Sequence, residues 1–82
     1  MRWNVSWSVV AAKDLLDIHW RLASRVDANI LAFAAGRNVD GLFEQVAYQD
    51  YHRYRLRMRG AIVLLRIDVR TRVVYVMRVF SH

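Results

Sequence analysis

A chain of 82 residues with 56% apolar side chains forms one domain around a single core, which excludes both a disordered segment and a two-domain protein. The absence of cysteine excludes a disulfide framework and a thiolate metal site, and three scattered histidines lack ligand spacing, so neither a metal nor a cofactor is expected. Thirteen basic against seven acidic side chains give a net charge of +6, which points to a polyanionic partner, either nucleic acid or an acidic protein segment.

The chain opens with Trp3, Val5 and Trp7 alternating with Arg2, Asn4, Ser6 and Ser8, the pattern of a short strand. The same polar residues interrupt any apolar signal region, and no apolar run approaches the length of a membrane span. A cytoplasmic protein with no membrane partner is therefore expected. Ser8 is placed to cap a helix whose stripe is Ala11, Leu15, Ile18 and Leu22, widened by Ala12 and Leu16, with Lys13, Asp14, Asp17 and Arg21 outside it. His19 and Trp20 fall inside this helix, as packing or partner-contact residues. Ser24, with Asp27 three residues on, starts a second helix, in which Val26, Ile30, Phe33 and Ala34 form the stripe and Gly36 the stop. The two helices join tightly around Ala23 and Ser24 as a hairpin. A turn-rich link, GRNVDG, follows at 36–41. The segment LFEQVAYQDY at 42–51 has no clean period and reads equally as a loop, a short helix or an early strand.

From Tyr54 to Phe80 (YRLRMRGAIVLLRIDVRTRVVYVMRVF) arginines alternate with apolar residues at strand spacing, which predicts a three-stranded antiparallel meander. Strand parity puts Arg53, Arg55, Arg57 and Arg59 on one face. The core face then combines Leu56, Met58, Val63, Leu65, Ile67, Val73, Tyr75, Met77 and Val79. The opposite face carries the arginines together with aliphatics that call for a covering partner. The order is β-α-α-β-β-β: an α+β domain over 1–82, with a helical hairpin packed on one face of a small, mostly antiparallel four-stranded sheet.

The charge follows the meander. Residues 1–50 hold five basic and six acidic side chains, a net −1, whereas residues 51–82 hold eight arginines against Asp68 alone, a net +7. Lys13 is the only lysine, and arginine suits planar, two-pronged contacts to phosphate or carboxylate. Arg53, Arg59, Arg66 and Arg78 are candidates to hold a nucleic-acid backbone, and Tyr51, His52 and Phe80 to line the same surface, the rings stacking on unpaired bases. Arginine stays protonated, so a proton acceptor must come from elsewhere, and His52 and His82 have suitable intrinsic basicity. A surface histidine is the plainer account of His52, and core packing that of Tyr54 and Tyr75. With only Gly36, Gly41 and Gly60 there is no phosphate-binding glycine loop.

An opening strand, two helices, a link, the run YRLRMRG, a strand ending in Ile67-Asp68 and a last strand, VVYVMRV, together resemble the RelE/ParE superfamily, the small basic toxins of bacterial type II toxin–antitoxin modules. The resemblance covers the whole chain. It implies a cytoplasmic toxin held by a cognate antitoxin through an acidic amphipathic segment. In the RelE-like branch it implies a ribosome-dependent mRNA endoribonuclease that arrests growth by inhibiting translation, with the ribose 2′-hydroxyl attacking the adjacent phosphate. The family's basic pair after the tyrosine falls on Arg55 and Arg57, and His82 stands near its terminal basic residue; these three are the catalytic candidates. After the turn glycine this chain has Ala61-Ile62 where the family commonly has Tyr-Arg. That departure keeps two other outcomes open: a ParE-like toxin that inhibits DNA gyrase by binding, and a degenerate toxin that retains only antitoxin binding.

Overall fold

Val5 and Trp7 turn inward and Asn4 and Ser6 outward along strand β1 (Asn4–Trp7), as their alternation predicts. The structure is a computed structural model that describes residues 2–39, 41–46 and 53–82. Ser8 ends the strand and caps helix α1 (Val9–Leu16): its Oγ accepts the Ala11 N–H at 3.0 Å and donates to the Met77 carbonyl at 3.0 Å. One hydroxyl thus ties the helix start to a neighbouring strand.

The single helix expected across Ala11 to Leu22 is two. Helix α1 closes at Asp17, and helix α2 (Trp20–Ala34) begins behind an N-cap at His19, whose Nδ1 accepts the Arg21 N–H at 3.2 Å. The joint therefore lies at 17–19 rather than at Ala23 and Ser24, and Ser24 is an exposed residue inside α2. The spacing misleads because Leu15, Ile18 and Leu22 all still pack on the core, whereas Ala12 and Leu16, expected to widen the stripe, are exposed. A break that keeps apolar residues on one side leaves their period intact. The far end of α2 is as expected: Gly36 at φ +74° lets the Arg37 N–H reach back to the Ala32 carbonyl at 2.8 Å, closing a Schellman turn.

Strands β2 (Leu42–Gln45), β3 (Arg53–Met58), β4 (Ala61–Asp68) and β5 (Val73–Ser81) complete one sheet of five strands, not four, in the order β1-β5-β4-β3-β2. Only the β1 and β5 pair is parallel, so the sheet is mixed. The extra strand comes from the stretch without a period. Leu42-Phe43-Glu44-Gln45 is a four-residue edge strand, too short to display alternation.

Where β1 stops, α1 takes over the edge of β5. The Ser8 N–H donates to the Val76 carbonyl at 3.0 Å, and the Asp14 carboxylate accepts the Val79 N–H at 3.0 Å. Between these two points lies a β-bulge: Leu65 pairs with Val76 and Leu64 with Arg78, leaving Met77 as the extra residue. The bulge reverses the parity of β5. Val74 and Val76 face the helices before it and Val79 after it. The expected core set of Val73, Tyr75, Met77 and Val79 is therefore right only at Val79. Val73 and Tyr75 lie half-buried on the other face, and Met77 is exposed at the bulge.

The rest of the core is as parity predicts. Leu56, Met58, Val63, Leu65 and Ile67 are buried, and all but Ile67 share one cluster with Ala11, Val26, Ile30 and Ala61. At the far corner the Asp68 Oδ1 accepts the N–H groups of Arg70 at 3.0 Å and Thr71 at 3.3 Å, closing the turn into β5.

The Asp14 contact is the one to test by pH. Hydrogen bonds from Arg78 and then from the Val79 N–H hold its carboxyl below the ordinary value of 3.8. A carboxyl lowered on folding contributes stability above its unfolded value and loses that contribution as pH falls through the folded one. Asp14→Asn should therefore lower the urea midpoint at neutral pH, and its difference from the parent should shrink once the pH falls below 3.8. Asp68 is lowered in the same direction, chiefly by the Thr71 N–H, so the variant should keep part of its acid sensitivity.

Candidate nucleic-acid interface

The buried residues of both helices sit on one side of the sheet, so residues of the opposite parity make an open face. Register sorts that face into rows. Glu44, Arg55, Leu64 and Arg78 form one; Leu42, Arg57, Ile62 and Phe80 the next; Arg53, Arg66, Tyr75 and Ser6 lie on the other side. None of these residues is buried. The alternating arginines thus share a face with Ile62 and Leu64, aliphatics whose cross-strand neighbours are Arg57 and Arg55.

The residue that organises the row is one the sequence reading passed over. Glu44 stands opposite Arg55 in the β2 and β3 pair, and its carboxylate lies 3.2 Å from the Arg55 guanidinium and 3.5 Å from that of Arg57. One anion therefore holds two of the four alternating cations. Gly41 (φ +137°) makes this approach possible, because a Cβ there would collide with the Arg57 carbonyl. Within the group, Arg55 Nε and Glu44 Oε1 are shielded from solvent and have no hydrogen-bond partner among the described residues. An oxyanion that displaced the Glu44 carboxylate would meet the Arg55 guanidinium with this donor still unused.

The other candidates are spread around this centre. Arg53 and Arg66 are exposed and directly opposed across β3 and β4. Arg59 is exposed just past the end of β3, and its carbonyl accepts a hydrogen bond from Arg25 of α2 at 3.0 Å. Arg78 is committed elsewhere: it grips Asp14 at 2.8 and 3.3 Å and lies 4.8 Å above the ring of Phe80, so it fastens α1 to β5 as well as bordering the face. The Asp14 partnership raises the affinity of Arg78 for its proton. The His82 N–H donates to the Gly60 carbonyl at 3.0 Å, so His82 is tied to the turn between β3 and β4. By alternation it falls on the open face, beyond the row of Arg57 and Phe80. Tyr51 and His52 lie outside the described residues. Tyr54 does pack inward, its ring stacked on Phe43 at 4.8 Å and 9°. Among the described residues no three His, Cys, Asp or Glu side chains group as metal ligands, and no helix is long and apolar enough to cross a membrane.

Glu44 was hidden because a lone carboxylate in a stretch without a period gives no cue, and its meaning comes only from the pairing of β2 with β3. Two substitutions separate placement from ion pairing. Gly41→Ala should cost about 1–3 kcal/mol in urea unfolding, since it strains the backbone and pushes β2 off β3. Glu44→Gln should cost less than about 1 kcal/mol, the usual worth of a solvent-accessible ion pair.

No family model and no curated protein matches this sequence. Its fold, however, matches solved structures. A chain of the toxin–antitoxin complex RelBE2 from Mycobacterium tuberculosis aligns with a TM-score of 0.82 at 18% identity, over 100% of this chain and 93% of that one. The YoeB dimer from Staphylococcus aureus aligns with a TM-score of 0.77 at 12% identity, over 100% and 99%. The chain shares the fold of these proteins along its whole length, which is the fold its strand and arginine pattern resembles.

Proposed function

We propose that this chain is the toxin of a type II toxin–antitoxin pair and that it cleaves mRNA on the ribosome. The shared fold supports the toxin role, and RelBE2 is itself a toxin–antitoxin complex. One observation carries the chemistry: Glu44 lies between Arg55 and Arg57 on the open sheet face, beside an unused Arg55 Nε donor.

That set supplies what attack by a 2′-hydroxyl needs. The Glu44 carboxylate accepts the proton as the 2′-oxygen bonds to phosphorus, and the bond from phosphorus to the 5′-oxygen breaks. Arg55 and Arg57 balance the charge gathering on the phosphoryl oxygens. His82, at the same end of the face as Arg57, is the candidate to return a proton to the leaving 5′-oxygen. Arg53, Arg59 and Arg66 steer and hold the backbone, and Phe80 offers a ring for an unpaired base. The antitoxin would lay an acidic amphipathic segment over the open face, pairing with the arginines and covering Ile62 and Leu64.

Ile62 and Leu64 at the centre of the face also favour a second reading, a protein target such as DNA gyrase, bound without cleavage. Purified protein added to translating ribosomes separates the two. Cleaved mRNA is expected from the parent chain. Glu44→Gln should lower the rate by about 10²- to 10⁴-fold, and Arg55→Ala by about 10²- to 10³-fold, losses far beyond the small stability change expected from breaking their ion pair. Intact mRNA would sink the ribonuclease reading. In cells expressing the chain without antitoxin, methionine incorporation should fail before thymidine incorporation, and the reverse order would favour gyrase.

A further inference from the structure

The positive surface does not stop at the rim of the sheet. At the Gly60 turn it passes onto α2: Leu22 packs 3.4 Å from where a Cβ on Gly60 would lie, and Arg25 donates to the Arg59 carbonyl. Arg21 and Arg25 are four residues apart on one helix face, an arrangement that repels unless an anion lies between them. Both are exposed, and among the described residues neither is ion-paired to a carboxylate. Beside them, at the first residue of α2, Trp20 is 67% exposed, far more than the half-buried Trp3 and Trp7. Its ring has the Arg21 guanidinium 5.2 Å from its centre and the His19 ring stacked at 5.9 Å. An exposed indole with a guanidinium plane against it is the part from which a stacking platform for unpaired bases is built.

We propose that the corner between α1 and α2 is a second nucleic-acid contact, where Trp20 stacks on an unpaired base and Arg21 and Arg25 hold the flanking phosphates of a strand leaving the open face past Arg59. The partner is single-stranded RNA, and the inference rests on the nucleic-acid reading of the open face. Two features select this ligand over an apolar protein segment: the aromatic ring is bracketed by a guanidinium and an imidazole, and it continues the arginine surface already described. From Arg55 to Arg59 the face spans about 13 Å of strand. That accommodates about four stacked nucleotides, so only a longer strand reaches the corner.

The test uses two oligouridylates with 2′-deoxyribose, which cannot be cleaved, of about four and about twelve nucleotides. Trp20→Ala should weaken the longer probe by about 5- to 100-fold and leave the shorter one unchanged, while Trp20→Phe keeps most of the affinity. Arg21→Ala with Arg25→Ala should reduce the salt slope of the longer probe by about 1.4. Charge reversal at Arg55 and Arg57 should weaken both probes, so the two readings fail separately. Equal binding of the longer probe by Trp20→Ala and the parent overturns the corner site, as does an equal loss on both probes. If Trp20→Ala binds both probes normally but loses the antitoxin, the corner is a protein interface and the proposal falls. No binding of either probe by the parent at low salt overturns the corner together with the open face.

Discussion

Strand β5 has to satisfy two neighbours that follow different rules. On one side β4 demands antiparallel pairing along its whole length; on the other, β1 pairs with it in parallel for four residues and then gives way to a helix. The bulge at Met77 lies where those demands change. It lets Val74, Val76 and Val79 all face the core although their numbering forbids that in a regular strand. It also leaves the edge groups of β5 to be met by Ser8 and Asp14, side chain and backbone of a helix doing the work of a strand. The grip of Asp14 on Arg78 follows from that handover, and it fixes how α1 borders the open face.

Much of this was legible from the residues. Parity located β3 and β4 and their core residues correctly because neither strand bulges on its own side, and Ser8 and Gly36 announced their caps because each solves a local hydrogen-bonding problem. What failed was decided by tertiary structure. A parity switch in β5 leaves no mark in composition, so Tyr75 and Met77 looked like core. The break at 17–19 preserves the apolar stripe and so hides in it. Glu44 was illegible for a third reason: its importance lies in standing across from Arg55, a relation between strands that is absent from either strand alone.

On the open face the charges do not balance: among the described residues Glu44 meets two arginines, and the shielded Arg55 Nε and Glu44 Oε1 make no hydrogen bond. A carboxylate in that position orders the guanidiniums by restricting their rotamers, at the cost of competing with any anion that would bind there. Ligand binding is then an exchange of one anion for another and not the filling of an empty site. Such exchanges favour ligands with more than one oxygen to offer, as phosphates have.

The parallel pairing of β1 with β5 has a consequence for the order of events during folding. Residues 4–7 close their hydrogen bonds with residues 73–76, so the pairing joins the first strand of the chain to the last. Loop closure of that length is paid late, after the local hairpins have formed. The arginine rows of β3 and β4 can therefore exist as a hairpin well before β5 inserts between β4 and β1. Until it does, α1 has no strand edge to hold and the helix side has no complete core. During synthesis from the N-terminal end, both helices are made before the charged strands, so α1 exists before the β5 edge that it will hold.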